Sequence, residues 1–185
     1  MIFLETIFIN SRYTYEMMQM DIEAIQELYP FVEVFSIGKS VIGKDLTALK
    51  IGNGSKEIFY SASFHANEWI TTPVLMKFIA DYCLAYVQNK NINGYSAKEL
   101  FQNATLYIVP MVNPDGVDLV TGSITKGSQY YNSAKKISDS YPDIPFPSGW
   151  KANIEGVDLN LQFPARLGTG KASQICTGIY NSFTS

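Results

Sequence analysis

Apolar strand-like runs interleaved with helix-periodic stretches limit this chain to one class of fold. Thr14 caps a helix expected to run to about Tyr29, where Pro30 stops it, with Met18, Ile22, Ile25 and Tyr29 on one face. Two alternating segments follow, Val32 to Ile37 and Leu46 to Ile51, joined by a turn from Gly38 to Gly43. Glu57 to Phe64 is a third strand, apolar enough to be expected inside a sheet. Thr72 and Pro73 make an N-cap and first-turn pair for a helix through Tyr86. A short helix, Ser96 to Gln102, precedes a fourth strand, Thr105 to Val109. Pro110 to Gly116 reads as a loop, Gly122 to Trp150 as a long surface loop, and Val157 to Leu161 as one more short strand. Strands separated by helices predict an α/β sandwich with a mixed, mostly parallel sheet. Ligands in such sheets bind at the carboxyl ends of strands, and His65 lies just past such an end.

Composition narrows the function. At 185 residues, a single domain with a substantial core is expected, without repeats or a linker. The 14 basic and 17 acidic side chains are mixed along the chain, so no basic stripe points to nucleic acid and no basic amphipathic helix to a membrane surface. Two cysteines are too few for a disulfide framework, and Cys83, inside a helical apolar pattern, is expected to be a buried hydrophobe. The stretch Met1 to Asn10 carries Glu5 and no basic flank, which makes a poor signal peptide, and no apolar run approaches the roughly 20 residues that span a bilayer. The default expectation is a soluble, cytoplasmic protein.

Three short motifs carry chemistry. Ser63-Phe64-His65-Ala66-Asn67-Glu68 places an imidazole and a carboxylate three residues apart after a strand, and His65 is the only histidine in the chain. A tight turn after a strand can bring two such ligands to one metal ion. Alone, the pair also reads as an ordinary surface turn. Asn113-Pro114-Asp115-Gly116 alone is a turn between elements, and Gly156-Val157-Asp158-Leu159-Asn160 alone is a strand entered by a glycine.

Taken in this order after such strands, the three motifs resemble the zinc carboxypeptidase family, from about Tyr13 to Ala165. The runs Trp150-Lys151-Ala152-Asn153 and Gln162-Phe163-Pro164-Ala165 are similar to one branch, the bacterial γ-D-glutamyl-L-diamino-acid endopeptidases that cut peptidoglycan stem peptides. The resemblance implies a three-layer sandwich, incomplete at its carboxyl end, and a peptide or peptidoglycan stem peptide as partner. It implies zinc held by His65 and Glu68, with Asn160 helping to hold the substrate's terminal carboxylate. It places Lys151 where a cation stabilises the developing oxyanion, although a solvated loop lysine explains that residue equally well.

The chain also departs from the family pattern. The family's Asn-Arg pair is here Asn160-Leu161, and leucine cannot grip a carboxylate bidentately. The second zinc-binding histidine and the catalytic glutamate lie, in the family, beyond Ser185. Two protein ligands hold zinc weakly, so the expectation is an incomplete site and a chain inactive by itself. Residues 1–165 are read as the amino-terminal part of the domain and 166–185 as a divergent tail. Shifted by one base, one codon choice for Arg166 to Ala172 gives Gly-Trp-Glu-Gln-Ala-Lys, which resembles the endopeptidase branch and suggests a frameshift near Ala165; an intact gene with a diverged end is the alternative. Two other functions stay open: a non-catalytic peptide-binding protein, which Leu161 favours, and an acyl-amino-acid hydrolase of the aspartoacylase type. Exposed sheet edges in an incomplete domain predict self-association.

Overall fold

The structure is a computed structural model and describes residues 12–162. Helix α1 spans Tyr15–Leu28, and Thr14 caps it, its hydroxyl accepting the Met17 N–H at 3.2 Å. Strands β1 (Glu33–Lys39) and β2 (Asp45–Gly52) form an antiparallel hairpin, and β3 is Lys56–Ser61. Helix α2 covers Thr71–Val87, and a small ribbon, β4 (Asn91–Ile92) and β5 (Tyr95–Ser96), leads into α3 (Ala97–Asn103), capped by Ser96. Strand β6 is Ala104–Val109, followed by α4 (Pro114–Thr121) and α5 (Gln129–Ser138).

The main sheet runs β1-β2-β6-β3. Mixed strands flanked by helices are what the alternating pattern called for. The parallel share is smaller than expected: β1–β2 and β2–β6 are antiparallel, and β3–β6 alone is parallel among the described strands. The hairpin fixes the first antiparallel pair. The α2 crossover between β3 and β6 makes the parallel one, as such crossovers do.

Register divides the residues between two faces. Val34, Leu49, Ile108 and Tyr60 align across the strands, and Leu49 and Ile108 are fully buried. Met18, Ile22 and Ile25 of α1 and Met76, Ile79 and Cys83 of α2 complete this core. On the opposite face Glu33, Lys50, Tyr107 and Phe59 form a row, with Lys50 Nζ donating to Glu33 at 2.8 Å and Phe59 open to solvent. The β2–β3 turn is pressed against the α3–β6 junction. A Cβ added at Gly54 would lie 1.9 Å from the Asn103 carbonyl carbon, so only glycine fits.

Several local expectations give way. β3 is an edge strand among the described residues, not an interior one, because β6 takes one side and nothing described takes the other. Helix α2 begins at Thr71 rather than after Thr72, whose hydroxyl donates instead to Pro110 O at 2.7 Å. The expected loop 110–116 already contains the start of α4, with Asn113 as its N-cap and Pro114 in the first turn. The expected long loop 122–150 contains α5 and a second small core, where Ala134 and Trp150 are buried with Leu119 and Ile154. Leu159–Leu161 is a single 3-10 turn, not a strand. Cys83 is fully buried as expected. No helix among the described residues is long and apolar enough to cross a membrane. The readings of residues 1–10, Cys176 and the 166–185 tail lie outside the described residues.

Candidate metal centre

The chain leaves β3 at Ser61 and is tied at once to the end of β6. Ala62 N–H donates to Val109 O at 3.1 Å, Val112 N–H to Ala62 O at 3.0 Å, and Asn113 N–H to Ser63 O at 3.0 Å. Ser63 takes a left-handed backbone, φ +49°, which turns the chain sharply out of the sheet. Its N–H donates to Thr71 Oγ1 at 2.9 Å, and its hydroxyl pairs with Thr72 Oγ1 at 2.7 Å. Thr71 in turn donates to Glu68 O at 2.8 Å. The strained turn is thus held by the first residues of α2.

His65 precedes the 3-10 turn Ala66–Glu68, whose closing bond runs from Glu68 N–H to His65 O at 3.1 Å. That turn folds the two side chains together: His65 Nδ1 lies 3.1 Å from Glu68 Oε1. The other ring nitrogen, Nε2, is buried without a hydrogen bond, and Asp158 Oδ1 stands 3.4 Å away. The His65 and Asp158 side chains are 15% and 9% exposed while Glu68 is 50% exposed, so the pair opens outward at the carboxylate and is backed by Asp158. An imidazole nitrogen beside a carboxylate, with a second carboxylate behind the ring, fits two zinc ligands and the outer partner that sets the tautomer. Among the described residues no group of three or more His, Cys, Asp and Glu side chains could hold a metal.

Segment 150–154 forms the wall behind this turn. Ala66 N–H donates to Lys151 O at 3.0 Å, and the Asn113 side-chain amide reaches Phe64 O at 3.2 Å and Ala152 O at 3.0 Å. All three motifs therefore meet at one place. Lys151 is half-buried, and its side chain has no hydrogen bond or ion pair among the described residues. Asn160 is exposed, and its N–H donates to Asp158 Oδ1 at 3.1 Å. Leu161 is half-buried on the same turn. Beside the end of β3, a cavity of about 290 Å³ opens between Tyr60, Ala62, Ile70, Thr71, Val74 and Phe78.

Two residues of this arrangement went unread in the sequence, Asp158 and Asn113. Asp158 sits two residues before Asn160 in a motif already singled out, but only the fold shows that it faces the imidazole. The signal for Asn113 was the Asn-Pro pair, which caps helices as well as forming turns.

Comparison with known proteins bears on the family and the fold. The family model described as zinc carboxypeptidase matches residues 18–182 and so runs past Ala165. The chain is 50% identical over 157 residues to gamma-D-glutamyl-L-diamino acid endopeptidase 1 of Lysinibacillus sphaericus, covering 85% of this chain and 39% of that protein. It is 43% identical over 148 residues to the uncharacterized protein YqgT of Bacillus subtilis, covering 78% of this chain and 38% of that one. The chain thus spans about two fifths of the length of these curated relatives. In fold it is similar to thrombin-activatable fibrinolysis inhibitor, with a TM-score of 0.59 at 22% identity over 80% of this chain and 32% of the other. The motifs, their convergence on His65 and these matches together establish that the chain belongs to the zinc carboxypeptidase family.

Proposed function

We propose that this chain supplies the amino-terminal part of a zinc peptidase site for peptidoglycan stem peptides, and that these 185 residues by themselves do not hydrolyse peptides. The observation that carries the reading is the His65–Glu68 pair, 3.1 Å apart at the carboxyl end of β3 and backed by Asp158. Bound zinc in this family's chemistry polarises a carbonyl and makes a water molecule acidic near neutral pH. This chain's residues would hold the metal by His65 Nδ1 and the Glu68 carboxylate. Asp158 would keep the Nε2 proton and the ring orientation. Lys151, with no ion pair among the described residues, is free to face a developing negative charge. Asn160 is exposed on the neighbouring turn and can donate to a substrate carboxylate. Leu161 adds neither charge nor donor, so grip on that carboxylate is weak.

Inactivity follows from the donor count. His65 is the only histidine, and two protein ligands leave zinc loosely held. The substrate class is taken from the 50% identical endopeptidase. Zinc titration of the purified chain against His65→Ala, together with hydrolysis of a γ-D-glutamyl-L-diamino acid peptide, tests the reading. Weak zinc binding lost in the variant, without hydrolysis, supports it. Zinc binding indifferent to His65 overturns the ligand assignment, and hydrolysis that depends on His65 overturns the inactivity.

A further inference from the structure

We propose that Asn113 is a positioning residue for the zinc-binding pair: it clamps segment 150–152 against the turn that carries His65. The expected effect on zinc rests on the reading of His65 and Glu68 as ligands; the clamp itself does not.

Asn113 is 2% exposed, and every polar group it owns is used. Its N–H donates to Ser63 O at 3.0 Å and its side-chain Oδ1 accepts the Gly116 N–H at 3.0 Å. Its side-chain Nδ2 donates to Phe64 O at 3.2 Å and Ala152 O at 3.0 Å, with Lys151 O at 3.4 Å. His65 lies between Phe64, whose carbonyl Asn113 holds, and Ala66, whose N–H is held by Lys151 O at 3.0 Å. The backbone on both sides of the imidazole is therefore fixed, on one side by Asn113 and on the other by the segment that Asn113 grips. The fit is close: a Cβ at Gly116 would lie 2.6 Å from Ala152 O, so α4 packs backbone to backbone on the wall. One amide thus sets where His65 stands relative to Lys151 and Asp158. An aspartate could keep the helix cap but has no proton to give the three carbonyls.

Asn113→Asp in the full 185-residue chain tests this, compared with a core variant of matched melting temperature such as Ile79→Val; Asn113→Ser, which also keeps a cap acceptor, replaces it if the aspartate does not fold. Two quantities are read: hydrogen exchange of the Ala66 amide by NMR, and zinc affinity by chelator competition. The expectation is an Ala66 exchange rate raised about tenfold or more, from loss of buried hydrogen bonds. Zinc affinity should fall about 10- to 100-fold, the range for an outer partner of a metal ligand, while the matched variant leaves both unchanged. Unchanged Ala66 exchange would overturn the clamp. Faster exchange with zinc affinity equal to the matched variant's would overturn the positioning role. Wild-type zinc binding that ignores His65 would instead overturn the ligand reading, and Ala66 exchange would then decide the clamp alone.

Discussion

Asp115 is the acceptor at the centre of a buried knot, and replacing it with alanine should remove a large part of the chain's stability. Its carboxylate accepts Ser40 Oγ and the Ile42 N–H, each at 3.0 Å, and stands 3.3 Å from Lys44 Nζ. The Asp115 side chain is 2% exposed and that of Lys44 20%, so solvent screens the cluster little. Two hydrogen bonds to a charged group are worth about 1.5–3 kcal/mol each, which sets an upper range near 3–6 kcal/mol. Two things reduce it. Lys44 keeps Asp118, 2.7 Å away, and the 40–44 turn lies near enough to solvent for the Ile42 N–H to find water. The expected loss for Asp115→Ala is therefore about 3–4 kcal/mol, against roughly 5–15 kcal/mol for a whole domain. Asp115→Asn, which keeps an acceptor, should lose about half as much. Urea denaturation at pH 7 followed by tryptophan fluorescence reads both, and 0.5 M salt should leave most of the difference in place. A loss below about 1 kcal/mol for alanine, or asparagine as damaging as alanine, would refute the argument.

Burial pushes the Cys83 thiol from 9.0 up to about 12, so the folded chain holds its proton longer than the unfolded one. Stability from this group is complete below pH 9 and is lost as pH climbs toward 12; a Cys83→Ala variant should flatten that decline. In a Cys176→Ser background, thiol reagents at pH 8 should label Cys83 only after denaturant is added, and rapid labelling of the native chain would contradict its burial. β3, unpaired along one edge among the described residues, carries Phe59 and Tyr60, 63% and 43% exposed, and should pair with a second copy. Sedimentation at micromolar concentration should show a dimer or larger that Phe59→Lys converts to monomer; a wild-type monomer would count against it.

What could be read in the sequence was local. The α1 cap at Thr14 and the β1–β2 hairpin depend on residues within a turn of one another, and both formed as expected. The place of β3 at the edge of the described sheet depends on which strands flank it, and its one described neighbour, β6, comes from far along the chain, which no local pattern encodes. Helix α5 is polar on most sides and is anchored by Ala134 in the Trp150 cluster, so too few apolar residues marked its one buried face in the sequence. The alternation of Val157, Asp158 and Leu159 imitated a strand, yet Asp158 turns the chain by accepting the Asn160 N–H. At the site, His65 and Glu68 stood out because a three-residue spacing suffices to bring them together. Asp158 and Asn113 did not, since their partners are distant in the chain.

The spatial order of the sheet differs from the order of synthesis, and this has a consequence for how the chain is made. β3 leaves the ribosome before β6, yet β6 is its sole described partner. Roughly forty residues separate Ser61 from Ala104, about 2–8 s of translation at ~5–20 residues per second. For that interval the hairpin can close but β3 lacks its one described partner, and its two aromatic residues are open to any other strand. Closing the sheet then requires a long loop to be brought together in one step, which is slow for pairings of this kind. Slowing translation between α2 and β6 should lengthen that exposure and raise the fraction of nascent chains captured by chaperones.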